Sequence, residues 1–189
     1  MSKNFSEIKQ ELMQSLDRMV SIEPDTIPSM PLYMDQVRSF MESILSDSKR
    51  RSDDKILTKT MINNYAKNKL LPPPENKKYS REHIMVLIYI YYFKQMLSMN
   101  DIQKLMKPVY SEFSHASKLE KVFSQVMECC SYEKETAKKT ALEKIDYIEE
   151  NFPKLTEREE DFKLFLLISD LLCDIYSKKV IVERLIDLL

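Results

Sequence analysis

The sequence contains no glycine among its 189 residues, although average usage would supply about 13. Glycine-rich loops that cradle phosphates or dinucleotides therefore cannot be built. Tight two-residue β-hairpins also become difficult, because they need left-handed backbone that glycine adopts most easily. Helices suffer least from the absence of glycine. We therefore expect an all-α protein, and most classes of nucleotide-binding enzyme are disfavoured.

Three cysteines, two of them adjacent at Cys129 and Cys130, give neither a disulfide framework nor the spacing of a metal site. Neighbouring positions on a helix point about 100° apart, which makes a poor chelate. We therefore favour an ordinary structural role for this pair over metal or redox sensing. The sequence shows no pairing of a nucleophile with a base, and we predict a non-enzymatic protein without cofactor or metal.

The N-terminal segment is polar and lacks the apolar core of a signal peptide. The longest apolar run, Ile84 to Phe93, is too short to span a bilayer and is typical of a buried helix. We expect a cytoplasmic protein that has no membrane partner.

Positive charge is concentrated in one part of the chain. The segment from Lys49 to Arg81 holds 10 Lys and Arg against 3 acids, whereas the whole chain has a net charge of −1. Such an island produces a local positive field. The alternative interpretation of the charge alone is a solvated loop.

Apolar spacing predicts a chain of helices separated by polar or proline-rich segments. Capping residues support several of the starts: Thr58 or Thr60, Ser80, and Ser98 with Asp101. The helices are predicted over about 4–20, 34–45, 58–69, 81–97 and 101–107, with one or two helices over 110–151, and then 162–175 and 178–189.

The helix predicted at 58–69 has two unlike faces. No acidic residue occurs between Lys55 and Pro74, whereas ordinary exposed helix faces mix both signs of charge. The alternative is a helix whose polar face is merely solvated. The inward side holds Leu57, Met61, Ile62, Tyr65 and Ala66, and the outward side holds Thr60, Asn63, Asn64 and Lys67, with Lys59 at the border.

The order of residues over about 32–107 resembles the DNA-binding head of MerR-type transcription regulators. The match rests on the segment TKTMINNYAKNKLLPPPENKKYSREH, the apolar helix after it, and LSMNDIQKLM. The chain departs from the family at Asn63, where an arginine is usual, at Lys69, where a glycine is usual, and in the longer loop 46–57. The chain also resembles a bacterial family of unknown function that shares LYMDQV and TKTMINNY.

The MerR resemblance implies a winged helix-turn-helix in the N-terminal half, followed by a C-terminal helical lobe. Three regions follow from it: an N-terminal helix and proline-rich linker at 1–31, a DNA-binding domain at 32–109, and a dimerisation or effector lobe at 110–189. The resemblance also implies that the Tyr65 hydroxyl reaches a phosphate, although the helical spacing turns its ring inward.

Short polar side chains on a helix can read base edges in the major groove, and lysine or arginine binds phosphate. We therefore expect a DNA-binding transcription regulator that reads double-stranded DNA with helix 58–69 and holds phosphates with the wing 72–81. The basic residues 49–51 would provide a second set of phosphate contacts. The predicted DNA-binding residues are Lys59, Thr60, Asn63, Asn64, Tyr65, Lys67, Lys77, Lys78, Tyr79 and Arg81.

Two alternatives stay open at the level of sequence. The same head could be a helical protein-interaction module that does not bind DNA. The apolar tail from Phe162 to Leu189 could fill a lobe of its own or form a two-fold interface, and we expect a homodimer because two half-sites multiply specificity. The C-terminal lobe could also sense a small molecule, but no residue identifies the ligand.

Overall fold

A computed structural model describes residues 5–18, 22–152 and 159–189. Within them the chain is mostly helical, with eight α-helices and one two-stranded sheet, which confirms the all-α expectation. The ends of the predicted helix 4–20 lie outside the described residues. The helices are α1 (Phe5–Asp17), α2 (Met34–Leu45), α3 (Lys59–Lys67), α4 (Arg81–Phe93), α5 (Met99–Leu105), α6 (Lys107–Ser111), α7 (Ala116–Asn151) and α8 (Glu159–Ile186).

Two of the predicted capping residues, Thr58 and Ser98, cap their helices with their side chains. The Thr58 hydroxyl accepts the main-chain N–H of Met61 at 3.1 Å, which starts α3. The Ser98 hydroxyl accepts the N–H of Asp101 at 3.2 Å and starts α5. Each bond satisfies an N–H that has no partner within its helix.

The predicted separation of the last two helices is wrong. Residues 159–186 form the single helix α8. Ser177, at the expected interruption, donates its hydroxyl to the Cys173 carbonyl at 2.9 Å and so stays within the helix. No glycine or proline stands there to break the hydrogen-bond ladder.

The two strands are short and lie far apart in sequence. β1 (Leu32–Tyr33) pairs antiparallel with β2 (Lys78–Tyr79), which sets Leu32 opposite Tyr79 and Tyr33 opposite Lys78. The sheet therefore joins the start of α2 to the segment between α3 and α4.

One compact unit comprises Val20–Cys129 and Leu185–Leu189. Helix α4 runs through its core, and every residue from His83 to Ile90 is buried. Side chains of α2, α3 and α5 close around it, among them Met41, Ile62 and Ile102. This continuous apolar core holds α3 in place and leaves only one of its faces to solvent.

The other unit comprises Met1–Met19 and Cys130–Arg184. Its core is small and centres on Ile145, Ile148 and Leu167, with partly buried side chains of α1 and α8 and that of Phe152 around them. The division into 1–31, 32–109 and 110–189 stays a prediction. Among the described helices, none has both the length and the hydropathy that crossing a bilayer would require.

Candidate nucleic-acid interface

Helix α3 presents an exposed polar face above a buried apolar one. Ile62 and Tyr65 are buried, while five polar side chains point to solvent, two of them lysines. The helix contains no acidic residue. We call these five residues the α3 face, and they are Lys59, Thr60, Asn63, Asn64 and Lys67.

The C-terminal end of α3 is fixed by a tight turn that glycine usually makes. Lys69 has φ 56°, in the left-handed region. The N–H of Lys69 donates to the Ala66 carbonyl at 3.1 Å, and the N–H of Leu70 donates to the Tyr65 carbonyl at 2.8 Å. This is the Schellman pattern of a helix end, formed with lysine because the chain has no glycine.

Two neighbouring helices hold that turn. Gln103 of α5 donates its side-chain amide to the Asn68 carbonyl. Tyr110 of α6 donates its hydroxyl to the Leu70 carbonyl at 2.5 Å. Both helices therefore fix the direction in which α3 ends and hence the orientation of the α3 face.

A basic turn, Glu75–Lys78, leads into β2, shares Lys78 with it and is here called the tip. Asn76 and Lys77 both have positive φ, at 48° and 64°, and the N–H of Lys78 donates to the Glu75 carbonyl at 2.8 Å. Asn tolerates this backbone region better than most residues. The turn leaves the Lys77 and Lys78 side chains exposed.

Tyr33 is an exposed aromatic residue that the sequence analysis did not include. It is 53% exposed, and the ammonium of Lys78 lies 5.1 Å from its ring centroid. The pairing follows from the register of β1 with β2. The LYMDQV segment alone gave no sign of it, because the partner strand lies 45 positions further along.

Two predicted contact residues lie in the core instead of on the surface. Tyr65 is 5% exposed and Tyr79 is 4% exposed. Burial raises the pKa of both hydroxyls above the usual range. The structure thus brings neither ring to the α3 face or to the tip, and a phosphate contact through Tyr65 stays a prediction.

Arg81 is engaged inside its own unit. Its guanidinium donates to the Pro24 carbonyl and to a Glu120 carboxylate oxygen, both at 2.9 Å, and Asp25 lies 3.9 Å away. These contacts bind the start of α4 to α7 and to the segment before β1. The exposed cations that remain near the predicted wing are those of the tip.

The basic loop after α2 is divided between paired and exposed side chains. Lys49 forms an ion pair with Glu42 of α2. Arg50 and Arg51 are exposed. The main-chain N–H of Arg51 donates to Asp54 at 2.9 Å, which shapes the loop without using the guanidinium.

Comparison with known families gives one match. The family described as "Domain of unknown function (DUF1836)" matches residues 22–129. The chain belongs to the DUF1836 family. The DUF1836 region coincides closely with the Val20–Cys129 part of the first compact unit and contains the α3 face, the tip and Arg81. No curated protein and no solved structure matches the chain.

The expectation of a family of unknown function agrees with this result, whereas the MerR-type resemblance gains no support from it. Helix α8 and most of α7 lie beyond the DUF1836 match. Within the described residues, no group of three or more His, Cys, Asp or Glu side chains is arranged to hold a metal ion.

Proposed function

We propose that the DUF1836 region binds double-stranded DNA by laying the α3 face in the major groove, as a transcription regulator does. One observation carries the proposal: α3 exposes two lysines and three short polar side chains, with no carboxylate among them, above a firmly buried face. An α-helix fits the major groove in size, and polar side chains on it can reach base edges.

The chemistry of the α3 face suits base recognition. An asparagine amide pairs with adenine, a lysine ammonium favours guanine, and threonine serves several base types. Asn63 would fill the position at which MerR-type proteins usually carry arginine. It would therefore favour adenine where arginine would favour guanine.

The tip supplies the complementary phosphate contacts. Lys77 and Lys78 are exposed, and the β1–β2 pairing fixes the tip to the start of α2. In this proposal the tip acts as the wing of a winged helix-turn-helix. Arg50 and Arg51 add two exposed positive charges in the loop after α2.

The test is binding of a mixed-sequence duplex at two salt concentrations, measured by fluorescence anisotropy. Phosphate contacts release counterions, so affinity should fall steeply between about 50 and 200 mM salt. Replacing Lys77 and Lys78 by alanine should weaken this salt dependence. The slope of log affinity against log salt concentration should become shallower by about 2, roughly one for each lost phosphate contact.

A matched control removes two exposed lysines of the other unit, Lys139 and Lys178, and should leave the slope unchanged. Undetectable binding at low salt would contradict the proposal and favour the protein-interaction alternative. Equal slopes in the two double variants would show that the tip does not contact DNA.

A further inference from the structure

Helix α8 exposes an apolar stripe that the described residues of its own unit leave uncovered. Six large apolar side chains between positions 162 and 176 are each 45–69% exposed. The opposite side of the helix carries Leu167, which is buried in the core with Ile145 and Ile148. The exposed residues are Phe162, Phe165, Ile168, Leu172, Ile175 and Tyr176.

Four of these residues follow the spacing of a coiled-coil seam. Phe165, Ile168, Leu172 and Ile175 are separated by three, four and three positions, which is the a/d repeat of helices that pack side by side. Continuing the same repeat by four positions in each direction reaches Asp161 and Lys179. The seam thus has an acidic residue at its N-terminal end and a basic residue at its C-terminal end.

This arrangement is complementary to itself when a second copy lies antiparallel. With Ile168 opposite Leu172 of the second copy, Phe165 faces Ile175 and Asp161 faces Lys179. The two-fold axis repeats each of these layers. Four apolar layers therefore lie between two terminal layers, and each terminal layer pairs one Asp161 with one Lys179. In a parallel pair, each charged residue would instead meet its own copy and repel it.

The flanking aromatic residues fit the same alignment. Phe162 and Tyr176 occupy equivalent positions beside the seam, and the antiparallel alignment places Phe162 of one chain next to Tyr176 of the other. Asp161 and Lys179 are 18 residues apart on one helix, about 27 Å, so they cannot pair within a chain. Lys179 lies 3.6 Å from Glu183 on its own helix, which leaves its ammonium near the end of the seam.

We propose that two copies of this chain associate through α8 in antiparallel alignment, with Asp161 of each chain paired with Lys179 of the other. The inference rests on α8 alone and does not depend on DNA binding. In this dimer the apolar stripe of each chain is covered by helix α8 of the other chain.

Sedimentation equilibrium of the full chain tests this proposal. The wild type should be a dimer of the 22.5 kDa chain. Asp161→Lys or Lys179→Asp alone should raise the dimer dissociation constant about tenfold, because each creates two like-charge contacts. The double variant Asp161→Lys, Lys179→Asp should restore the wild-type value, since the pairs form again with reversed sign.

A charge exchange away from the seam is the control. Lys139→Glu with Glu143→Lys reverses an exposed pair on α7 and should leave the dissociation constant unchanged. Leu172→Glu should give a monomer, because it places a carboxylate in each central layer. Far-UV circular dichroism verifies that every variant stays helical.

Three results would overturn the proposal. A monomeric wild type would exclude the dimer. A dimer that is unaffected by Leu172→Glu would place the interface elsewhere. Single charge variants that weaken the dimer without recovery in the double variant would exclude the antiparallel alignment. All of these measurements are made without DNA, so they are independent of the proposed DNA binding.

Discussion

The hydroxyl of Tyr110 donates a 2.5 Å hydrogen bond to the main-chain carbonyl of Leu70. Burial raises the pKa of this hydroxyl to about 12, so it remains a donor throughout the physiological pH range. The bond ties α6 to the turn that ends α3. The orientation of the α3 face therefore depends on a residue 40 positions away.

Tyr110→Phe should lower the free energy of unfolding by about 1–2 kcal/mol, because a partly buried carbonyl loses its partner. Urea denaturation measures the change. Tyr132 is 71% exposed, so Tyr132→Phe is the control and should change stability by less than about 0.5 kcal/mol. Equal effects of the two substitutions would show that the Tyr110 bond contributes nothing to stability.

Lys69→Gly should stabilise the protein. Lys69 holds a left-handed backbone at φ 56°, which costs a residue with a Cβ roughly 1 kcal/mol, and glycine avoids this cost. We expect an increase of up to about 1 kcal/mol in the free energy of unfolding. Lys69→Ala keeps the Cβ and removes the charge, so a gain of the same size in that variant would contradict the backbone explanation.

Arg81→Ala should be strongly destabilising. The guanidinium donates hydrogen bonds to the Pro24 carbonyl and to the Glu120 carboxylate. Each hydrogen bond to a charged group contributes at most about 1.5–3 kcal/mol. We expect a loss of about 2 kcal/mol in thermal or urea unfolding. Lys78→Ala, at an exposed position of the tip, should leave stability nearly unchanged, and a comparable loss there would contradict this division of roles.

His83 should make stability depend on pH. Its ring is buried, with Nδ1 accepting the Ser80 main-chain N–H at 3.0 Å and Nε2 lying 3.3 Å from the Pro73 carbonyl. Burial lowers its pKa below the ordinary 6.5, against smaller raising effects of the Pro73 carbonyl and of Glu82. A proton on Nδ1 would also remove the bond from Ser80.

Because the folded pKa is lowered, the unfolded chain takes up a proton first as the pH falls. The full contribution of neutral His83 is present above pH 6.5 and is lost as the pH falls from there toward the folded pKa. Urea unfolding at about pH 7.5 and 5.5 should show this loss. His83→Gln should reduce the dependence of stability on pH, and an unchanged dependence in that variant would refute the assignment.

The sequence allowed much of the first compact unit to be predicted, because the relevant signals are local. Capping by Thr58 and Ser98, the ends of α2, and the two faces of α3 follow from residues within one or two helical turns. The exception is Ala66, which was expected on the inward side of α3 and is exposed. The left-handed backbone of Lys69 was not predicted. The helix was expected to extend through position 69, although the MerR resemblance marks Lys69 as standing where a glycine is usual.

Long-range contacts could not be predicted in the same way. The Arg81 contact with Glu120 spans 39 positions and the Tyr33 contact with Lys78 depends on strand pairing. A surface role for Arg81 was therefore a natural interpretation of its charge. In α8 the predicted interruption failed because Ser177 satisfies its hydroxyl within the helix.

The most direct test of the central claim is an NMR titration of isotope-labelled protein with a mixed-sequence duplex. If the α3 face binds DNA, amide resonances of residues 59–67 and 75–78 should shift first and most strongly, and raising the salt concentration should reverse the shifts. Shifts confined to other parts of the chain, or no shifts at low salt, would contradict the claim that the α3 face binds DNA.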